Sequence, residues 1–311
     1  SGFVGYSALT DADKRALLPM IHDRMTDGLT VRLFTGTVYQ TLATVNHEHP
    51  EAPLVPQLAR AWALDASGKT LSIRLATGTL FHSGHAFSSA DLVAELNAIR
   101  DPQNPTAGMR AALGDIERID APDPKTLVVT WREVQPLAQR ALLAGLPVMS
   151  APSLQGPFDA LAVHRAPDGT GPFRLTSWRP GDSLTLERTP TATARVQRIE
   201  LRIAKDEAVA VQRWRAGEFD LMTRLAPETF ELMKSARPED AWAREYQPLV
   251  VPENTWSILV WNVRRGALSD VRVRQALALA YPADDVSRVT DRGFEQRVTC
   301  PYARESQACD A

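Results

Sequence analysis

Residues 168–188 read Asp-Gly-Thr-Gly-Pro-Phe-Arg-Leu-Thr-Ser-Trp-Arg-Pro-Gly-Asp-Ser-Leu-Thr-Leu-Glu-Arg, and they narrow the fold more than any other segment of the chain. Apolar and polar residues alternate over 173–177, a period of two that is typical of a β-strand. Pro180 and Gly181 then suit a tight turn before a second alternating run over 184–188. The segment is therefore predicted to form a β-hairpin.

The glycines at the start of this segment could suggest a phosphate-binding loop. Such a loop needs free backbone N–H groups at a helix N-terminus, and its common signatures carry a third glycine or a Gly-Lys-Ser/Thr ending. Here Gly169 and Gly171 are followed by Pro172, which has no backbone N–H, and then by a strand pattern. A tight turn that leads into the hairpin is the better interpretation.

The rest of the chain alternates strand and helix patterns and contains no internal repeat. Strands are predicted at 70–75, 126–131, 198–203 and 256–261. Helices are predicted to begin at residues suited to a cap or a first turn, which are Ser88, Pro136, Asp206, Pro227 and Ser269. This alternation predicts a mixed α/β (α+β) fold.

Composition limits the classes of protein that the chain can represent. The 311 residues, 44% of them hydrophobic, are enough for at least two structural units. A net charge of −2 argues against a nucleic-acid-binding protein, which needs a concentrated basic surface. No run approaches the roughly 18 apolar residues of a membrane span, and the sequence does not start with a basic and apolar leader.

Two cysteines lie close together near residue 311. Cys300 and Cys309 have eight residues between them, which fits a small disulfide loop of the kind found in oxidising compartments. A zinc site would need two further ligands, and no histidine is near in sequence. The sequence therefore favours a disulfide over a metal site.

Motifs for catalysis are weak. The run 47–51, His-Glu-His-Pro-Glu, contains a proline that prevents the helical pairing of histidines in a zinc protease. His82 and His85 could bind a metal across a hairpin, although a turn is favoured. There is no Gly-x-Ser-x-Gly elbow and no Cys-x-x-Cys. The chain is predicted not to be an enzyme.

Five stretches, taken in order, resemble a known family. They are 58–75, 81–93, 168–188, 216–220, and Asn262 with 269–277. Together they are similar to the family 5 extracellular solute-binding proteins, the periplasmic dipeptide-, oligopeptide- and nickel-binding proteins of ABC importers. The resemblance covers roughly 220 residues of the chain.

The resemblance implies a clamshell fold of the type II periplasmic binding proteins, in which two lobes close around a ligand. The first-lobe core would comprise 1–39 and 155–254, the subdomain added to that lobe 40–154, and the start of the second lobe 255–311. Family members are usually longer, so the second lobe is expected to be incomplete and the chain to be part of a longer protein.

The implied function is capture of a peptide or similar small polar solute for a membrane permease of an ABC importer. The protein would be a periplasmic or extracytoplasmic monomer without a cofactor and without nucleic-acid binding. The alternative is a binding-protein-like sensor or interaction domain that has lost transport. An unrecognised hydrolase is a third possibility.

Ligand contacts are implied at three places. Asp27, Gly28 and Leu29, with Arg32 one turn onward, match a segment that pairs with peptide backbone in relatives. The alternative there is an ordinary helix start capped by Asp27.

The second place is Met109 with Arg110, and the third is Thr223 with Arg224. Relatives often have an aromatic residue at the first position of each pair, so Met109 would offer a flexible apolar wall instead. Arg110 could bind a ligand carboxylate or remain a solvated surface side chain.

Overall fold

The computed structural model describes residues 36–45, 53–157, 161, 166–179, 182–204, 206–222, 225–235, 259–290 and 292–294. The described residues up to Ile203 belong to one compact unit, and those from Ala204 belong to a second. The lobe and subdomain boundaries expected from the sequence stay predictions.

The first unit contains a four-stranded antiparallel sheet and the elements around it. In chain order these are β1 (Ala43–Thr44), β2 (Val55–Pro56), β3 (Ala59–Leu64), β4 (Thr70–Leu75), α1 (Ser89–Arg100), α2 (Ala107–Leu113), β5 (Ile116–Asp123), β6 (Thr126–Trp131), α3 (Pro136–Arg140), a π-helix (Ala141–Gly145) and a 3-10 helix (Ala151–Leu154). The strand order in the sheet is β3-β4-β6-β5. β1 and β2 form a separate antiparallel pair.

Alternation along the central strands builds the larger core. Leu71, Ile73 and Leu75 of β4 are buried, and Leu127, Val129 and Trp131 of β6 are buried in the same core as the apolar face of α1. This is the period-two pattern of a sheet with one covered face, and it confirms the strands predicted at 70–75 and 126–131.

Helix α1 begins where the sequence predicts. The backbone N–H of Ser88 donates to Oδ2 of Asp91 at 2.8 Å, and the helix ends at Arg100, before Asp101 and Pro102. An acidic residue in the first turn also interacts favourably with the helix dipole. Its buried face carries Leu92, Leu96 and Ile99 at helical spacing.

The hairpin predicted at 173–188 is present as part of a three-stranded antiparallel sheet. β7 (Phe173–Arg179) pairs with β8 (Ser183–Arg188), and β8 pairs with β9 (Arg198–Arg202). The register shifts between Leu175 and Ser177, so Trp178 rather than Ser177 packs against the core of this sheet.

The regular elements among the described residues of the second unit are helices. The elements are α4 (Glu207–Arg215), α5 (Pro227–Lys234), a 3-10 helix (Gly266–Ser269), α6 (Val271–Ala280) and α7 (Ala283–Thr290). Asp206 caps α4 by accepting from the N–H of Val209 at 2.8 Å, and Asp270 caps α6 by accepting from the N–H of Arg272 at 2.8 Å. Both predicted helix starts are confirmed within a residue or two. No helix among the described residues has the length and apolar content needed to cross a membrane.

The strand predicted over 256–261 is not found at 259–261. Leu259 and Val260 are exposed there, and 256–258 lie outside the described residues. A strand needs a partner for its backbone hydrogen bonds, and no other strand occurs among the described residues of this unit. For 259–261, the part of the apolar run that the structure describes, the strand prediction is wrong.

Candidate functional site

Residues 168–171 cross two other segments of the first unit. The N–H of Gly171 donates to the carbonyl oxygen of Val38 at 2.8 Å, and the N–H of Phe173 donates to that of Thr37 at 2.9 Å. On the other side, the N–H of His82 donates to the carbonyl oxygen of Gly169 at 2.8 Å. We call this meeting of 37–39, 81–83 and 168–171 the glycine crossing.

The close approach of the backbone of 37–38 explains why residues 169 and 171 are glycines. A Cβ on Gly169 would overlap the carbonyl oxygen of Val38, and a Cβ on Gly171 would overlap that of Thr37. Neither glycine has a positive φ. Glycine is therefore required because backbones approach closely, rather than because of the left-handed conformation that many turns demand.

Asp168 makes another contact within the crossing and ties the crossing to one further segment. Its Oδ1 accepts from the backbone N–H of Ser83 at 2.9 Å. Its Oδ2 accepts from the hydroxyl of Ser83 at 2.8 Å and from that of Ser150 at 2.7 Å. One carboxylate thus links two segments of the crossing and holds the segment before the 3-10 helix against it.

The two histidines of the loop bind different partners. His82 Nε2 lies 2.8 Å from the carbonyl oxygen of Gly171, so this nitrogen carries the proton. Burial lowers the pKa of His82, partly offset by the bond to Gly171 and by the charge of Asp168, while Arg174 lowers it further. His85 Nε2 lies 2.9 Å from Oδ1 of Asp91.

The histidines do not converge on a metal. Across the described residues, no group of three or more His, Cys, Asp or Glu could hold a metal ion. Each ring instead ties the loop after β4 to another segment: His82 bonds to Gly171 of the crossing, and His85 bonds to Asp91 of α1.

Three acids hold three consecutive residues. Oε2 of Glu95 accepts from the N–H of Met149 at 3.2 Å, and Oδ1 of Asp91 accepts from that of Ala151 at 2.8 Å. Asp168 binds the hydroxyl of Ser150 between them. Asp91 and Glu95 are one turn apart on α1, so both can reach the segment 149–151. That segment is therefore hydrogen-bonded both to the helix and, through Asp168, to the crossing.

Burial sets the protonation of this cluster. Burial raises the pKa of Glu95 well above its ordinary value, the bond from Met149 opposes the rise, and the charge of Asp91 adds to it. Burial also raises the pKa of Tyr39, as do the charges of Glu95 and Asp168. The phenol of Tyr39 therefore stays protonated, and the carboxyl of Glu95 releases its proton only at a higher pH than an ordinary glutamate does.

Replacing Glu95 with glutamine is expected to stabilise the protein increasingly as pH rises. The carboxyl has an ordinary pKa of 4.5, which is raised on folding, so its contribution to stability is complete below about pH 4.5 and is lost above it. The loss is about 1.4 kcal/mol per pH unit until the folded-state pKa is reached. Glutamine keeps an oxygen to accept from the N–H of Met149 but has no charge to bury.

Urea denaturation between pH 5 and pH 8 measures this effect. Glu117→Gln, which removes an exposed carboxylate on β5, is the control for loss of charge. A difference between Glu95→Gln and wild type that stays constant or shrinks with pH would contradict the expectation.

Met109 and Arg110 lie in α2, and both make structural contacts. Met109 is 2% exposed and belongs to the larger core. Nε of Arg110 donates to the carbonyl oxygen of Ile99 at 2.9 Å, and Nη2 donates to those of Asp101 at 2.6 Å and Asn104 at 3.0 Å. The guanidinium thus binds carbonyl oxygens in the last turn of α1 and just after it. Ligand contact by Met109 and Arg110 stays a prediction.

Arg110→Lys is expected to lower the free energy of unfolding by about 2 kcal/mol, because an ammonium cannot reproduce the spread of a guanidinium over several carbonyls. Arg100→Lys, an exposed arginine in the last turn of α1, is the matched control. Equal thermal stability of the two variants would refute a structural role for Arg110.

The other predicted site residues lie outside the described residues. They are Asp27, Gly28, Leu29, Arg32, Thr223, Arg224, Cys300 and Cys309. Their ligand contacts and the disulfide stay predictions.

The sequence did not predict the hydrogen bonds that Asp91, Glu95 and Asp168 make to the segment 149–151. The available signal was Glu95 itself, which shares the buried face of α1 with Leu92, Leu96 and Ile99. A carboxyl in an apolar stripe must be neutral or hydrogen-bonded. Its partners could not be found from the helix alone.

Comparison with known proteins places the chain in a family context. Residues 53–301 match the model of "Bacterial extracellular solute-binding proteins, family 5 Middle". Similar curated proteins include the glutathione-binding protein GsiB of Pectobacterium atrosepticum, 24% identical over 246 residues, covering 78% of this chain and 46% of the relative. The dipeptide-binding protein of Escherichia coli is 22% identical over 300 residues, covering 86% and 54%. The chain spans about half the length of the curated relatives it matches.

Solved structures show the same fold. The DppA protein of Helicobacter pylori, in complex with the peptide STSA, has a TM-score of 0.70 at 22% identity and covers 91% of this chain and 58% of its own. NikZ of Campylobacter jejuni, in complex with Ni(L-His), has a TM-score of 0.62 at 20% identity and covers 81% and 49%.

Proposed function

The chain belongs to the bacterial extracellular solute-binding proteins of family 5, and on that basis we propose that it is part of a protein that captures a peptide or similar small polar solute for an ABC importer. The match over residues 53–301 carries this proposal. The relatives named for dipeptides and glutathione favour a peptide-like ligand.

The buried acids of the first unit support binding rather than catalysis. Asp91 is 0% exposed and Glu95 is 1% exposed, and both accept hydrogen bonds from backbone N–H groups. A general acid or base must come within hydrogen-bond reach of a substrate proton. These two carboxyls hold the protein's own backbone instead.

We place the ligand contacts at the positions implied by the family resemblance. Asp27, Gly28 and Leu29 would pair with the ligand backbone, with Arg32 beside them. Met109 with Arg110 and Thr223 with Arg224 would line other parts of the site. Closure of the two lobes of the complete protein would then stabilise the bound state through contacts that the open state lacks.

A ligand panel tests the proposal on the complete protein. Native mass spectrometry of protein purified without denaturation should detect a co-purified solute. Dipeptides, tripeptides, glutathione, nickel-histidine and glycosides are then compared by thermal shift, since a ligand at 100 times its Kd stabilises by about 2.7 kcal/mol. No co-purified mass and no shift with any of these compounds would overturn the proposal.

We also propose that the protein acts as a monomer outside the cytoplasm, with a membrane permease as its partner. Stimulation of the permease's ATPase by the loaded protein but not by the empty one would support this partnership. A Cys300–Cys309 disulfide suits an oxidising compartment. Reactivity of both thiols in protein isolated under non-reducing conditions would count against the disulfide.

A further inference from the structure

Unpaired polar atoms concentrate at the glycine crossing. Among the described residues, four buried side-chain atoms of its segments make no hydrogen bond to protein: Thr37 Oγ1, Tyr39 Oη, His82 Nδ1 and Thr170 Oγ1. Buried polar groups are nearly always paired in native proteins, and leaving one unpaired costs about 1–3 kcal/mol. Four such atoms on the three segments of one crossing indicate that these segments bind partners that the protein itself does not supply.

Tyr39 is the most restricted of the four. Its side chain is 0% exposed, so bulk solvent cannot satisfy the hydroxyl. The ring of Tyr39 lies beside the residue that follows Asp168, since a Cβ on Gly169 would be 3.0 Å from Cδ1 of Tyr39, yet no carboxylate accepts the phenol's proton. The phenol hydroxyl is therefore a buried hydrogen-bond donor, and no protein acceptor is in contact with it.

Asp168 has capacity for one more donor. A carboxylate offers about four lone-pair sites. Asp168 accepts one hydrogen bond at Oδ1 and two at Oδ2, from the N–H and hydroxyl of Ser83 and from the hydroxyl of Ser150. One site at Oδ1 remains for a further donor.

We propose that the glycine crossing binds a small cluster of internal water molecules, one of which bridges Tyr39 Oη and the Asp168 carboxylate. This water accepts from the phenol and donates to Oδ1. Other members of the cluster pair with His82 Nδ1 and with the hydroxyls of Thr37 and Thr170.

Water suits this set of atoms better than an ion does. The phenol presents a donor, the unprotonated Nδ1 of His82 presents an acceptor, and the threonine hydroxyls can be either. A cation would satisfy only the acceptors, and an anion would face the charge of Asp168. Water supplies both kinds of bond, and buried waters typically make two to four of them.

A crystal structure of the full chain at about 1.5 Å resolution tests the assignment. It should show a water oxygen within about 3.2 Å of both Tyr39 Oη and an Asp168 oxygen. Tyr39→Phe should lose this water, and Thr170→Val should keep it while losing a water at residue 170. A direct bond from Tyr39 to a protein acceptor, or an empty space beside Oη, would overturn the proposal.

Water ¹⁷O magnetic relaxation dispersion gives a second readout in solution that needs no crystals. The number of long-lived internal waters should fall by at least one in Tyr39→Phe and stay unchanged in Tyr281→Phe, because Tyr281 is 43% exposed. If Tyr39→Phe does not fold, Thr170→Val replaces it in this measurement. An unchanged number in the folded variant tested would refute the cluster.

Discussion

Gly171→Ala is expected to destabilise the first unit by about 3 kcal/mol, because the added methyl group would meet backbone atoms of another segment. The new Cβ would overlap the carbonyl oxygen of Thr37 and press on the backbone of Val38. These backbone atoms cannot rotate away as a flexible side chain could. The N–H of Gly171 and that of Phe173 also bond to this same segment, so relieving the overlap would break both bonds.

Gly78→Ala is the matched control for this substitution. Gly78 has φ 79°, and no atom lies within 4 Å of the place that an alanine Cβ would take, so alanine there adds only backbone strain, about 1 kcal/mol. Chemical denaturation followed by circular dichroism compares the two variants. If Gly171→Ala lowers the free energy of unfolding by no more than Gly78→Ala does, the crossing can relax around a Cβ. Close backbone approach would then not explain why residue 171 is glycine.

Asp168→Ala is expected to destabilise the same unit by about 3 kcal/mol, because three donors lose their acceptor together. The donors are the N–H and hydroxyl of Ser83 and the hydroxyl of Ser150. Asp168→Asn keeps one carbonyl oxygen and should recover about half of the loss. Amide exchange should accelerate at 81–85 and 149–151 in the alanine variant.

An exposed acid provides the comparison for Asp168. Asp115 pairs with Arg132 at 3.0 Å, but their side chains are 63% and 64% exposed, so Asp115→Ala should cost less than about 1 kcal/mol. If Asp168→Ala leaves exchange at 149–151 unchanged, Asp168 does not hold that segment.

Local sequence predicted most elements of the fold because their causes are local. Period-two alternation identified β4, β6 and the β7–β8 hairpin, and capping residues identified the starts of α1, α4 and α6. The exception is 259–261, where an apolar run has no strand partner among the described residues of its unit. A strand depends on a second segment, and the pattern of one segment does not supply it.

Arg110 shows the same limit for a site residue. Its position in a family pattern implied either a ligand carboxylate or solvent. In the structure, its partners include carbonyl oxygens in the last turn of α1 and just after it, up to 11 residues earlier in the chain. Which acceptors a guanidinium finds depends on how α1 and α2 pack, and residue type does not encode that choice.

The segment 168–188 separates what sequence and folding each contribute. Its alternation and its turn residues were sufficient to specify the hairpin and, with four other stretches, to identify the family. The role of its first four residues depends on groups remote in sequence: Asp168 bonds to Ser83, 85 positions away, and Gly171 bonds to Val38. Residue order specifies short-range geometry, but a close backbone approach and the partners of a half-buried carboxylate exist only once distant segments have packed together.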